Sequence, residues 1–340
     1  MTRRPQAINL IFRSPRRVTL RSEPLPSPAA GQVEVETALS AISAGTEMLI
    51  YRGLAPVDVP ADEILPSLSG PLTYPLRYGY ACVGQVAGLG EGVDPSWLGR
   101  RVFAFHPHAD RFVVPASDLL TVPDAVPNDR AVFLPQAETA LGLIHDGAPL
   151  LGERICVLGQ GIVGLLVCAV LARIPLVYLL TFDRFARRRD LSLQLGAQAS
   201  LDPSGPARGR VLLGNRGADL SFELSGDPTA LDMALALTGY CGRVVLGSWY
   251  GRPKAQLDLG GAFHRSRIRI LSSQVSRIDP ALTGRWDKAR RFDAAWELLG
   301  EIKPEAWISH RVPFSRAASA YQMLDRRPQD ALQVVLSFGE

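Results

Sequence analysis

Along the first fifty residues the apolar positions fall in short runs, NLIF and VEVETALSAIS, separated by proline, glycine and serine, and the same rhythm returns in ACVGQV and GRRVFAF. Short runs rich in Val, Ile, Leu and Thr with this punctuation predict strands with one buried face. Residues 8–50 and 80–125 therefore read as an antiparallel, partly barrel-like β domain. Between them, LAPVDVPADEILPSLSGPLTYPLRYG is long and proline-rich. It reads as a surface excursion with one short helix at Asp62 to Leu68, and excursions of this length often border a site.

From about residue 130 the period changes. AVFLPQAETALGLIHD has helical spacing, RICVLG is strand-like, IVGLLVCAVLAR helical, VYLLTFD strand-like, and RFARRRDLSLQLGA helical with its end at Gly196. The alternation continues through ADLSFELSG, PTALDMALALT and GRVVLGSW. Such a series predicts a mostly parallel, doubly wound sheet with helices on both faces, an α/β Rossmann domain. The tail changes style again, with FHRSRIRILSS, a long helix near Asp287 to Leu299, and strands near Ile308 and Leu332 to Leu336. The economical organisation is an inserted nucleotide-binding domain, 126–273, within a first domain made of 1–125 and completed by 274–340. A chain of 340 residues accommodates two such cores.

The apolar stretch from Gly161 to Leu180 approaches the length of a membrane span. Arg173, Pro175 and the glycine turn before it favour a buried α/β reading instead: a helix, a break at Ile174–Pro175, and a strand at Val177 to Thr181. With 47% hydrophobic and 21% charged residues, the composition fits a folded soluble protein. The net charge of +4 is spread without a basic, aromatic-interleaved block, so neither a nucleic-acid nor a membrane partner is expected. Cys82, Cys156, Cys168 and Cys241 are too scattered for a redox pair or a metal cluster and suit a reducing cytoplasm. MTRRPQAINLIF lacks the features of a secretory signal.

The strongest chemical signal is ICVLGQGIVGLL, where Gly159, Gly161 and Gly164 form GxGxxG after a strand and at the start of a helix. The first glycine suits a tight turn, the second close approach of a pyrophosphate, and the third helix–strand packing. Gln160, Ile162 and Val163 lie between them and belong to the same candidate contact set. Asp183 follows nineteen residues after Gly164, where a carboxylate accepts hydrogen bonds from ribose hydroxyls and repels a 2′-phosphate. NAD is thus expected, with NADP open because Arg184, Arg187, Arg188 and Arg189 follow. Further strand ends place Ser225, Gly226, Gly247 and Ser248 on the cofactor side, with Asp227 readable as a helix cap and Trp249 and Tyr250 beside them.

GYACVGQVAGLGEGV with GRRVF, the ETALGLIHDGAPLLGERICVLGQGIVGLL block, RRRDLSLQLGA and GRVVLGSW together resemble the medium-chain dehydrogenase/reductase superfamily, which includes zinc alcohol dehydrogenases and zinc-less quinone reductases. The resemblance implies a GroES-like β domain plus a Rossmann domain, and pairing of two chains along the edge near GRVVLGSW. SAGTEM, YPLRYGYACVGQV, ELSGDP and AFHRSRIRI are also similar to the branch containing bacteriochlorophyllide a dehydrogenase, which oxidises a hydroxyethyl group on a tetrapyrrole ring. Zinc members carry a cysteine near the place of Ala44 and a His-Glu pair where this chain has Tyr80-Ala81. The four-cysteine lobe that would follow GRRVFAF is also missing, so no zinc is expected.

Without a metal, side chains must move the proton and stabilise the developing oxyanion. The candidates are Thr46 and Glu47, which the resemblance places below the nicotinamide, and Tyr80, His106, His108 and Glu138. In FHPHAD, Pro107 favours an extended dipeptide that turns the two imidazoles to opposite faces. Glu47 has the alternative of pairing with Arg52 or capping the next turn, and Glu138 that of a helix-capping role. The expected activity is NAD(P)-dependent hydride transfer on an alcohol/carbonyl group of a bulky organic substrate. Reduction of a conjugated double bond, or a non-catalytic nucleotide sensor, are the alternatives.

Overall fold

In the computed structural model, which describes residues 5–58, 60 and 66–339, the chain divides into two units, Met1–Pro135 with Leu299–Glu340, and Gln136–Leu298. In the first, β1 (Gln6–Ser14) and β2 (Arg17–Pro24) form an antiparallel pair. The long strand β3 (Gln32–Ile42) then runs straight into α1 (Thr46–Arg52), which ends at Gly53 in the left-handed conformation with φ 73°. β4 (Cys82–Leu89), β5 (Arg101–Ala104), β6 (Arg111–Pro115) and β7 (Leu119–Thr121) follow, with the short helix α2 (Asn128–Ala131). The helix expected over Asp62 to Leu68 falls largely outside the described residues; Pro66–Leu68 is a single 3-10 turn.

The second unit opens with α3 (Leu134–Gly147) and alternates through β8 (Arg154–Leu158), α4 (Ile162–Leu171), β9 (Tyr178–Phe182), α5 (Ala186–Gln194), β10 (Ala199–Leu201), α6 (Pro206–Leu213), β11 (Ala218–Glu223), α7 (Thr229–Leu237), β12 (Thr238–Leu246) and β13 (Arg269–Ser272), then enters α8 (Lys288–Ile302). The strands form a six-stranded parallel sheet in the order β10-β9-β8-β11-β12-β13. That order reverses direction between β8 and β11, the switch point at which doubly wound sheets bind ligands. The stretch from Gly161 to Leu180 comprises α4, largely buried, an exposed connection around Arg173, Pro175 and Val177, and the start of β9, and no described helix is long and apolar enough to cross a membrane.

β14 (Ile308–Pro313), α9 (Ala317–Arg326) and β15 (Gln333–Ser337) complete the first unit. β15 pairs antiparallel with β3 and parallel with β14, giving a seven-stranded sheet in which β6 lies on β3 off the main path. One face buries Leu10, Phe12, Ile42, Ile50, Tyr321 and Leu336 in a common apolar cluster, which fixes α1 and α9 beside the end of β3. The fold class is therefore the expected one, an α/β chain with a β-sheet unit and a Rossmann-like unit. The divisions fall at 135/136 and 298/299, not at 125/126 and 273/274. Residues 274–298 go with the parallel sheet, and within that unit Arg291 of α8 binds Glu138 of α3.

Candidate active site

The candidate nucleotide cradle is the glycine turn where β8 gives way to α4. Gly159 has φ 95°, and a Cβ added there would sit 2.5 Å from the Cα of Ser225. On Gly164 a Cβ would lie 1.9 Å from the carbonyl oxygen of Gly159. Both positions are closed to any side chain. Gly161, the N-cap of α4, differs: nothing lies within 4 Å of a Cβ built on it. The space above the helix N-terminus, flanked by Ile162 and Val163, is the room that an anionic phosphate needs beside unpaired N–H groups.

Asp183 closes the cradle from the end of β9. Its Oδ2 accepts the Gln160 N–H at 2.8 Å and its Oδ1 the Phe185 N–H at 2.8 Å. Each oxygen keeps a second acceptor site for a ribose hydroxyl. The side-chain carbonyl of Gln160 is buried without a hydrogen-bond partner. An open helix N-terminus, a carboxylate with acceptor capacity and an orphaned amide oxygen together fit a dinucleotide. The arginines after Asp183 divide. Arg184 and Arg187 are exposed, whereas Arg188 lies 3.9 Å from Asp183 and Arg189 donates to the Asp183 carbonyl at 2.8 Å and pairs with Asp202 at 3.2 Å. The arginines thus do not all face solvent.

At the neighbouring strand end, the buried carboxylate of Glu223 accepts the N–H of Ser225 at 2.8 Å, its hydroxyl at 2.5 Å, and the Tyr250 hydroxyl at 2.6 Å. Burial, with the charge of Glu223, pushes the Tyr250 phenol up. The Gly226 N–H donates to Ser248 Oγ at 2.9 Å, and a Cβ on Gly247 would meet Leu143 and Leu224 at 2.6 Å. Asp227 accepts the N–H of Thr229 at 3.0 Å at the start of α7, as a cap would. Glu223 was not singled out from sequence, although an acid ending the apolar run of β11 was the available signal.

The first unit holds a separate polar cluster inside its apolar core. Glu47 in the first turn of α1 is fully buried. Its Oε1 accepts the Ser43 N–H at 2.8 Å, and its Oε2 meets His108 Nε2 at 3.0 Å and accepts the Tyr321 hydroxyl at 2.5 Å. His108 Nδ1 hydrogen-bonds Ser40 Oγ. The His108 ring has room because residue 79 is glycine, where a Cβ would lie 2.7 Å from it. Burial is the largest influence on His108 and acts downward, but the charge of Glu47 and hydrogen bonds to Cys82 and Glu47 together outweigh it, raising the pKa to about 10. The pair is thus a buried imidazolium–carboxylate.

Tyr80 lies beside this pair. Its hydroxyl donates to Ser43 Oγ at 2.5 Å and approaches Thr46 Oγ1 at 3.5 Å. Burial raises its pKa above the ordinary phenol value, against the lowering effect of the Ser43 and Thr46 hydrogen bonds. The phenol therefore keeps its proton at neutral pH. Thr46, Glu47, Tyr80 and His108 are brought together, joined by Ser40, Ser43 and Tyr321.

His106 and Glu138 are placed otherwise. The His106 ring stacks on Phe112 with centroids 3.9 Å apart, and burial lowers its pKa to about 4, so it is neutral near pH 7. Glu138 belongs to the other unit, where Arg291 Nη2 approaches to 2.8 Å and Lys288 also binds it. Its carboxylate is thus engaged within that unit by two cations. Glu47 pairs with His108 and not with Arg52, which binds Asp325 at 2.7 Å.

A zinc ion does not fit these side chains. Ala44 offers no side-chain donor, the Tyr80 hydroxyl is engaged, and both Glu47 oxygens and both His108 nitrogens already have partners. Among the described residues no group of three or more His, Cys, Asp or Glu is arranged to hold a metal ion.

Residues 163–293 match the zinc-binding dehydrogenase family. The starvation-sensing protein RspB of Escherichia coli K12 is 24% identical, covering 98% of this chain and 99% of that one. D-guloside 3-dehydrogenase of the same strain is 25% identical over 91% of this chain and 93% of its own. Among solved structures, the short chain alcohol dehydrogenase RspB from E. coli CFT073, complexed with cofactor NADH, superimposes with a TM-score of 0.79 at 21% identity, covering 98% of this chain and 99% of that one. That likeness shows the fold.

Proposed function

From its membership of the zinc-type alcohol dehydrogenase-like, medium-chain dehydrogenase/reductase superfamily, to which the chain belongs, we propose that it is an NAD(P)-dependent oxidoreductase acting on an alcohol/carbonyl group without zinc. Dehydrogenase names among its relatives, and the NADH of the RspB structure, support a nicotinamide cofactor. The glycine cradle and Asp183 would hold it, with NAD favoured over NADP by the carboxylate. When bound, the nicotinamide supplies or accepts the hydride.

The observation that carries the zinc-independent reading is the Tyr80 phenol, held by Ser43 with Thr46 at hand, at the sequence position of a metal ligand in zinc members. In carbonyl reduction Tyr80 gives its proton to the substrate oxygen as that oxygen gains charge. Ser43 and Thr46 orient the phenol, the raised pKa keeps it protonated at neutral pH, and the phenolate left after transfer takes its proton back from solvent water. His108 and Glu47 stay fixed as a charge pair beneath it. The long proline-rich excursion before Tyr80 favours a bulky organic substrate. We further propose a homodimer, since β13 ends the parallel sheet with an unpaired edge among the described residues.

The test is a screen of bulky alcohols and ketones with NADH and NADPH, followed by Tyr80→Phe on any substrate found. The variant should lose about 10²- to 10⁴-fold in turnover with cofactor affinity unchanged. Near-normal turnover in Tyr80→Phe would remove the proposed donor.

A further inference from the structure

Tyr80 does not reach Glu47 or α9 directly, yet a continuous set of hydrogen bonds links them. The Tyr321 hydroxyl, from the middle of α9, donates to Glu47 Oε2; Glu47 Oε1 accepts the Ser43 N–H; and Ser43 Oγ accepts the Tyr80 hydroxyl. His108, braced by Ser40, holds the same Oε2 from the other side. Glu47, His108 and Tyr321 are each at most 1% exposed, so no solvent exchange loosens the arrangement.

Two features argue that this network serves more than packing. The apolar core of the unit already fixes α9 through Tyr321 ring contacts, with Phe12 at 5.2 Å edge-on and Tyr51 at 5.5 Å stacked. A phenylalanine would keep both contacts, so the hydroxyl is not needed for them. Burying a carboxylate and an imidazole in an apolar core also costs stability unless every polar atom is satisfied. Each oxygen of Glu47 and each nitrogen of His108 is satisfied, and one of those bonds leads out to the backbone of Ser43, the residue that holds the Tyr80 hydroxyl.

We propose that Tyr321 is a positioning residue for the reaction: its hydroxyl, with His108, fixes the Glu47 carboxylate, and Glu47 in turn fixes Ser43 and the direction of the Tyr80 phenol. This rests on Tyr80 being the proton donor. The C-terminal helix α9 would thereby control the geometry of a group far from it in sequence. Small misplacements of a reacting group cost up to about 100-fold in rate, so loss of one buried hydroxyl should register in catalysis without abolishing the fold.

The experiment uses full-length protein labelled with [¹³Cζ]tyrosine, the Tyr80 signal being assigned by its disappearance in Tyr80→Phe. In Tyr321→Phe the Tyr80 signal should shift and its pH titration should move, while the pH profile of turnover changes and activity falls roughly ten- to hundredfold. NADH affinity should hold. Phe12→Leu is the control: it perturbs the same packing, keeps the hydroxyl, and should lower the melting temperature while leaving the Tyr80 signal in place. Should Tyr321→Phe fail to fold, Glu47→Gln is read in the same way. An unmoved Tyr80 signal and pH profile in Tyr321→Phe overturns the positioning role, as does an equal shift in Phe12→Leu. The donor reading fails separately, if Tyr80→Phe itself retains turnover.

Discussion

Asp183 shows how far a single side chain can be read. Its place after Gly164 was enough to make it a ribose candidate, because the spacing of a strand, a helix and a strand fixes where the next strand ends. The structure adds that it also buttresses the glycine turn, through the Gln160 N–H. Asp183→Ser should therefore do two things: narrow or reverse the preference for NADH over NADPH, and weaken binding of both. Calorimetric titration of the variant against each cofactor checks this, and an unchanged ratio would mean that the carboxylate does not face the ribose. His106 and His108 show where single-residue reading stops. The two rings have different partners, and nothing local distinguished the imidazole stacked on Phe112 from the one beside Glu47. The partner of Glu47 on α9 lies 274 residues away in the chain, a contact only the tertiary fold creates.

Among the elements, those with strong periodicity were legible and those with poor intrinsic propensity were not. α4 and β9 are set by apolar runs, a glycine start and a proline break. β10 and α6 went unread because LDPSGPARGR carries turn residues throughout; α6 nevertheless forms against β9, where Gly209 lets it approach Phe182, a Cβ there being 2.5 Å from the ring. The junction of β3, α1 and α9 makes a prediction of its own. Folded His108 keeps its proton up to about pH 10, against an ordinary value of 6.5. Its contribution to stability is complete below about pH 6.5 and is lost as pH rises toward 10. His106, lowered to about 4, acts in the opposite window, contributing above about pH 6.5 and losing that contribution as pH falls toward 4. Thermal melting of wild type and His108→Asn should show a gap in melting temperature that narrows steadily as pH is raised from about 6.5 to 10. A gap independent of pH would show that His108 is not the buried cation described.

For the whole molecule, the two-part organisation was visible in the change of hydrophobic period near residue 130, since parallel sheets buried on both faces and antiparallel sheets buried on one have different patterns. The divisions themselves fall inside α3 and α8, and the Glu138–Arg291 pairing between those helices is announced by no local pattern. The proposed dimer is checked by light scattering at micromolar concentration, which should give about twice the 36.9 kDa chain mass; a persistent monomer would leave the fold intact and the β13 edge unexplained.

The proposed activity is hydride transfer with the proton managed by Tyr80 and its hydroxyl partners in place of zinc. It is tested most directly by incubating chelator-treated protein, shown by elemental analysis to hold far less than one zinc per chain, with deuterated NADH and an accepted ketone, and following deuterium into the alcohol by mass spectrometry. Transfer should run at the same rate before and after chelation, with no gain on adding zinc. Transfer that vanishes with the metal and returns as one zinc per chain is restored would contradict it.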